Sequence, residues 1–179
     1  MDVDRIIAAI PGRTDDERGR MRANAERCIA DGPEKMRDAA EQVIAALDQQ
    51  AVDDATAFDT RIASMGPLDR LVAALAAFPP TKMETKLLSA LLDNPQSTAQ
   101  ELSVICGWQG RIWLKRLEAV CTKRAAYLSS AETGAATPDS TGVALFATTD
   151  SADERYTMTA EAVEALAQHK IKAKVKKAA

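Results

Sequence analysis

The residues best suited to do chemistry lie in one stretch, QGRIWLKRLEAVCTK, residues 109–123. A helix turns by about 100° per residue. That rotation gathers Trp113, Leu117, Val120 and Cys121 on one side and sets Arg111, Lys115 and Thr122 opposite them, with Arg116 and Lys123 on a flank. The pattern predicts an amphipathic helix with one apolar and one cationic face. A cationic face can bind a polyanion. Arginine can grip a guanine edge or a phosphate with two hydrogen bonds, and lysine supplies a salt-screened point charge to a phosphate backbone. Gln109 stands near the helix start, where side chains commonly meet base edges. The plainer reading is an ordinary solvated face, and Glu118 beside the cations favours it.

Other residues carry weaker signals. Thr98 and Gln100 open the preceding helix, where amides and a glutamine could hold a phosphate. Thr98 is better explained as a helix cap, because Glu101 completes a capping box. Arg155 sits beside a predicted hairpin turn, where it could enter a minor groove or be an isolated surface arginine. Trp108 and Trp113 bracket the start of the cationic helix and suit core packing better than stacking on a ligand. Cys106 and Cys121 read as small buried side chains, with a redox switch as the alternative. Lys170, Lys172, Lys174, Lys176 and Lys177 could attract a polyanion or simply solubilise the chain end.

Helical signals position these residues. Before the cationic helix come METKLLSALLDNP and TAQELSVICGW; after it come two extended runs, GVALFATTD and ERYTMT, and a closing helix, AEAVEALAQH. Thr14/Glu17, Asp31/Glu34, Thr81/Glu84 and Thr98/Glu101 each place a capping side chain three residues before a glutamate, the spacing of a capping box. Pro33 and Pro67 suit a first helical residue, where no amide donor is needed. The front half resolves into five short apolar stripes: Val3–Ile10, Met21–Ile29, Met36–Leu47, Phe58–Met65 and Leu68–Phe78. Pro79-Pro80 separates these stripes from the second half of the chain. SSAETGAATPDSTG, residues 129–142, reads as a polar loop, and Asp150–Asp153 as the hairpin turn.

Composition sets outer limits. The chain has 179 residues, 46% hydrophobic but only 4% aromatic, so alanine and leucine carry the core and favour helices. Net charge is −3, unevenly spread. Residues 1–66 hold 9 Lys+Arg against 14 Asp+Glu, and residues 67–179 hold 14 against 12. Any phosphate contact therefore belongs to the second half. No apolar run approaches the roughly 20 residues that span a bilayer, and the acidic start lacks a secretory head. Three cysteines without metal-type spacing predict a reducing, cytoplasmic setting. The single histidine, His169, leaves a metal site or histidine triad short of parts. No phosphate loop, nucleophile elbow or HExxH motif occurs, so neither an enzyme nor a cofactor is expected.

The second half resembles winged helix-turn-helix transcription regulators, especially those of the multiple-antibiotic-resistance type. The matching residues are TAQELSVICGW, then Arg116-Leu117-Glu118 at the helix end, then Tyr156-Thr157-Met158-Thr159-Ala160-Glu161 for the returning strand and closing helix. The polar loop before the first strand and Gly110 within the cationic helix depart from that pattern. The resemblance implies double-stranded DNA as partner, bound through the third helix and wing, and often a homodimer. The expected fold is mainly α with a small β-hairpin: an N-terminal helical bundle (1–78), a winged helix-turn-helix domain (81–168) and a lysine-rich tail (169–179). The expected DNA-contacting residues are Gln100, Gln109, Arg111, Lys115, Arg116, Lys123 and Arg155. The alternative is a protein-interaction or inhibitor module whose acidic N-terminal helices dock a basic partner.

Overall fold

A computed structural model of the chain describes residues 2–128, 142–150 and 153–174. The chain divides into two compact units, residues 1–60 and 61–179. In the first, α1 (Val3–Ala9) starts where Asp2 accepts from the Arg5 amide at 3.2 Å, then tightens into a single 3₁₀ turn, Ile10–Gly12. Helix α2 (Asp15–Asp31) opens on the expected Thr14/Glu17 capping box. Helix α3 (Glu34–Ala63) returns beside it, held by Arg18–Asp54 at 2.6 Å and by the Arg22–Asp48 pair. Ile10, Ala25, Ala40, Val43 and Leu47 form the buried core.

Two expectations for this unit fail for local reasons. The stripes at Met36–Leu47 and Phe58–Met65 belong largely to one helix, α3. No glycine or proline interrupts residues 48–60. Gln49 and Gln50 donate to Asp53 and Asp54, four residues on, at 2.9 and 2.8 Å, pairs that support a solvated helix. The Asp31/Glu34 box does not form: Asp31 is the last residue of α2. The Pro33 carbonyl accepts from the Met36 and Arg37 amides at 2.8 and 3.2 Å, so Pro33 precedes α3 rather than beginning it.

The second unit holds α4 (Pro67–Ala77), α5 (Lys82–Asp93), β1 (Ser97–Thr98), α6 (Ala99–Ile105), α7 (Ile112–Lys123), α8 (Ala125–Leu128), α9 (Val143–Phe146), β2 (Ala147–Asp150), β3 (Arg155–Met158) and α10 (Ala160–Gln168). The three strands form one antiparallel sheet in the order β1-β3-β2, with Ser97 opposite Tyr156 and Ala147 opposite Met158. Leu87, Leu102, Trp113, Leu117, Phe146 and Leu166 are among its fully buried side chains. The described part is thus mainly helical with a small sheet.

Helix α4, grouped by sequence with the N-terminal helices, packs instead on α8 and α10. Its buried Leu71, Ala74 and Leu75 join the core of the second unit, where small residues of α10, Ala162 and Ala165, allow a close approach. Pro79-Pro80 is therefore a link inside this unit, and the chain divides near the end of α3. Pro67 does take the first helical position of α4, and the Thr81/Glu84 and Thr98/Glu101 boxes both form.

The extended run expected from Val143 begins as a helical turn, α9. Thr159 Oγ1 donates to the Leu145 carbonyl at 2.6 Å and Phe146 is fully buried; the strand starts only at Ala147. Strand β1 is not among the expected elements. Most of the polar loop (129–141), residues 151–152 of the hairpin turn, and Lys176 and Lys177 lie outside the described residues. The start of the tail does not fray: Ile171 is buried, and the Lys174 amide donates to Asp93 at 2.7 Å. Among the described residues, no helix is long and apolar enough to cross a membrane.

Candidate nucleic-acid interface

Helix α7 buries Trp113, Leu117, Val120 and Cys121, the face its periodicity predicts. Gln109, Arg111, Lys115, Arg116 and Lys123 are exposed. From Arg111 to Lys123 the cations extend over about 18 Å of helix axis, at about 1.5 Å per residue.

The start of α7 is fixed from α6. Arg111 occupies the N-cap position and makes no side-chain cap. The amide of Trp113 donates instead to Ser103 Oγ at 2.9 Å, and that hydroxyl donates to the Ala99 carbonyl at 2.7 Å. A fully buried serine of one helix thus satisfies an orphan amide of the next. Trp113 Nε1 donates to the Leu87 carbonyl at 3.1 Å, and the indole sits 5.4 Å from the Tyr156 ring. Trp113 is a core residue. Gly110 lies before the helix at φ +59°, not inside it. In that left-handed turn a glycine carries no penalty, which removes the conflict the sequence presents.

The end of α7 is fixed by Arg124, which is wholly buried. Its guanidinium donates to the Phe78 carbonyl at 3.1 and 2.6 Å, to Val120 at 2.9 Å and to Glu84 at 3.3 Å. Glu84 also accepts from the Thr81 amide at 2.7 Å as part of its capping box. Burial pushes the Glu84 carboxyl up, but the bonds from Arg124 and Thr81 outweigh it and hold it below the usual carboxylate range. One buried ion pair therefore joins the ends of α4 and α7 to the beginning of α5.

The remaining candidates are partly engaged already. Arg111 pairs with Glu154 at 2.7 Å. Arg155 is half-buried; it donates to the Gln96 carbonyl at 2.8 Å and lies 3.6 Å from Asp153 and 3.7 Å from Glu101. It is not an isolated surface arginine. Gln100 is exposed, whereas Thr98 is committed to its cap. The Thr98 backbone and hydroxyl bonds, with Arg155 nearby, lower the Glu101 carboxyl. The Arg116 guanidinium lies over the half-buried Trp108 ring, 4.9 Å from its centre, a cation–π contact.

Cys106 and Cys121 are both buried, and burial raises both thiols, Cys121 to about 12. Neither is a ready thiolate at neutral pH, which favours the core reading over the redox one.

Sequence reasoning missed Glu154, Ser103 and the Glu84–Arg124 pair. Arg124 alone had a local signal: it continues the stripe of Leu117, Val120 and Cys121. Comparison with known proteins adds no identity, since no family model, curated protein or solved structure matches the chain.

Proposed function

We propose that this protein binds double-stranded DNA as a regulator of transcription, reading it with α7 and the β2–β3 hairpin. One observation carries the reading: Arg111 and Lys115 are exposed on the side opposite the buried face of α7, and Arg116 is exposed on its flank. The order α5, β1, α6, α7, then β2, β3 and α10 after the two short helices α8 and α9, supports the resemblance to a winged helix-turn-helix, with α7 as reading helix and the hairpin as wing. Lysines at 115 and 123 suit phosphates; Gln109 and Arg111 suit base edges at the helix start.

The test is fluorescence polarisation with mixed-sequence and genomic duplexes at roughly 50 and roughly 200 mM salt. Binding should weaken steeply with salt, and Lys115→Ala with Arg116→Ala should abolish it. Indifference to every duplex at the lower salt would sink the reading.

A second reading, docking of a protein, is favoured by three aliphatic side chains exposed near the α6–α7 turn: Val104, Ile105 and Ile112, at 66%, 48% and 39%. It expects the lysine and arginine changes to be silent and Val104→Ser with Ile105→Ser to abolish partner binding.

A further inference from the structure

We infer that Glu154 is a latch on Arg111, an internal stand-in for the nucleic-acid acceptor that must be displaced before the arginine can engage DNA. The inference rests on the DNA-binding reading and names how that same site is restrained.

The geometry has three parts. First, Arg111 Nη2 and Glu154 Oε2 are 2.7 Å apart, joining the start of α7 to the hairpin turn, and the two side chains are 52% and 62% exposed. A carboxylate offers two adjacent acceptor atoms, as a guanine edge does with O6 and N7 and a phosphate with two oxygens. The pair is open to solvent, so an incoming acceptor can reach the guanidinium without unfolding anything.

Second, Glu154 has φ +49°. A side chain with a Cβ is disfavoured in this left-handed region, which glycine and asparagine occupy more easily. The turn therefore holds glutamate where other residues would fit the backbone better, and the Arg111 pair is what its carboxylate does there.

Third, the cations fall into two groups. Arg111 and Arg155 meet carboxylates, at Glu154, Asp153 and Glu101. Among the described residues, no carboxylate lies within ion-pair distance of Lys115, Arg116 or Lys123. These three supply the long-range attraction. Arg111 is released only to an acceptor that outcompetes Glu154, so a weak encounter leaves it in place. An exposed ion pair is weak enough to open in this way.

The experiment measures duplex binding by polarisation for the full chain, Glu154→Gln, Arg111→Ala and the double variant at roughly 50 mM salt. Glu154→Gln should bind about fivefold tighter, the scale of one exposed pair, and Arg111→Ala should remove that gain in the double variant. Glu154→Asn, which tolerates the backbone conformation, should match Glu154→Gln and guards against a folding artefact. The latch is overturned if neither Glu154 variant binds more tightly. It is also overturned if the gain persists without Arg111, since the carboxylate then merely repels DNA. Binding by the unaltered chain that needs Lys115 and Arg116 but ignores Glu154 would leave the DNA reading standing and remove the latch. No binding by any variant would remove both.

Discussion

Arg124 and Glu84 place a full charge pair inside the second unit, with side-chain exposures of 0% and 14%. Breaking such a pair by removing one partner costs about 3–5 kcal/mol, because the other charge stays buried. Glu84→Gln can retain the capping box while losing the charge, so the change isolates the ion pair. We expect it to destabilise the unit by about 3 kcal/mol at neutral pH, read from urea unfolding. The folded Glu84 carboxyl titrates below its ordinary value. Its contribution is therefore complete above the unfolded pKa of about 4.3 and is lost as pH falls through the folded value. Glu84→Gln should flatten that acid limb; an unaltered slope would show that other carboxylates govern it. At this scale the sequence is half legible. The period that buries Leu117 and Cys121 also points Arg124 inward, but a charge argues against burial until its partner is known. Glu84 is distant in the chain, as Glu154 is from Arg111, and no local rule links such pairs.

Helices with a complete signal are those the sequence foretells. Three capping boxes form, and α7 shows the two faces its spacing implies. Short elements behave differently. Strand β1 is two residues long and exists because β3 pairs with it, so nothing within Ser97-Thr98 could announce it. Helix α9 is an apolar run too brief for its period to be read. Its position depends on Gly142, which has φ +75° and where a Cβ would come within 2.7 Å of Leu128 Cβ. Gly142→Ala meets both strain and overlap. We expect it to cost about 2 kcal/mol in thermal unfolding, whereas an alanine as stable as the glycine would mean that α8 and α9 shift apart freely.

The whole chain joins units of unequal depth. The first, residues 1–60, buries Ile10, Ala25, Ala40, Val43 and Leu47 and leaves α1 with no buried residue. The second buries aromatic and leucine side chains from α4 through α10. Small domains bury a smaller fraction of their surface and are correspondingly marginal. Amide hydrogen exchange should therefore be faster along α1 and α2 than along α5, α7 and α10; equal protection would mean that the first unit draws support from elsewhere. The unit boundary escaped the sequence because two prolines look like a linker. The decisive fact, that α4 finds its cover on α10, depends on residues far along the chain.

The chain's two tryptophans occupy opposite situations at one helix. Trp113 is sealed in the interior, while Trp108 lies half-buried beneath the Arg116 guanidinium. Their emissions are therefore separable by quencher access: one indole reports whether the domain is intact, the other whether its guanidinium cover is still in place. The molecule thus carries a label-free optical gauge of its own cationic surface.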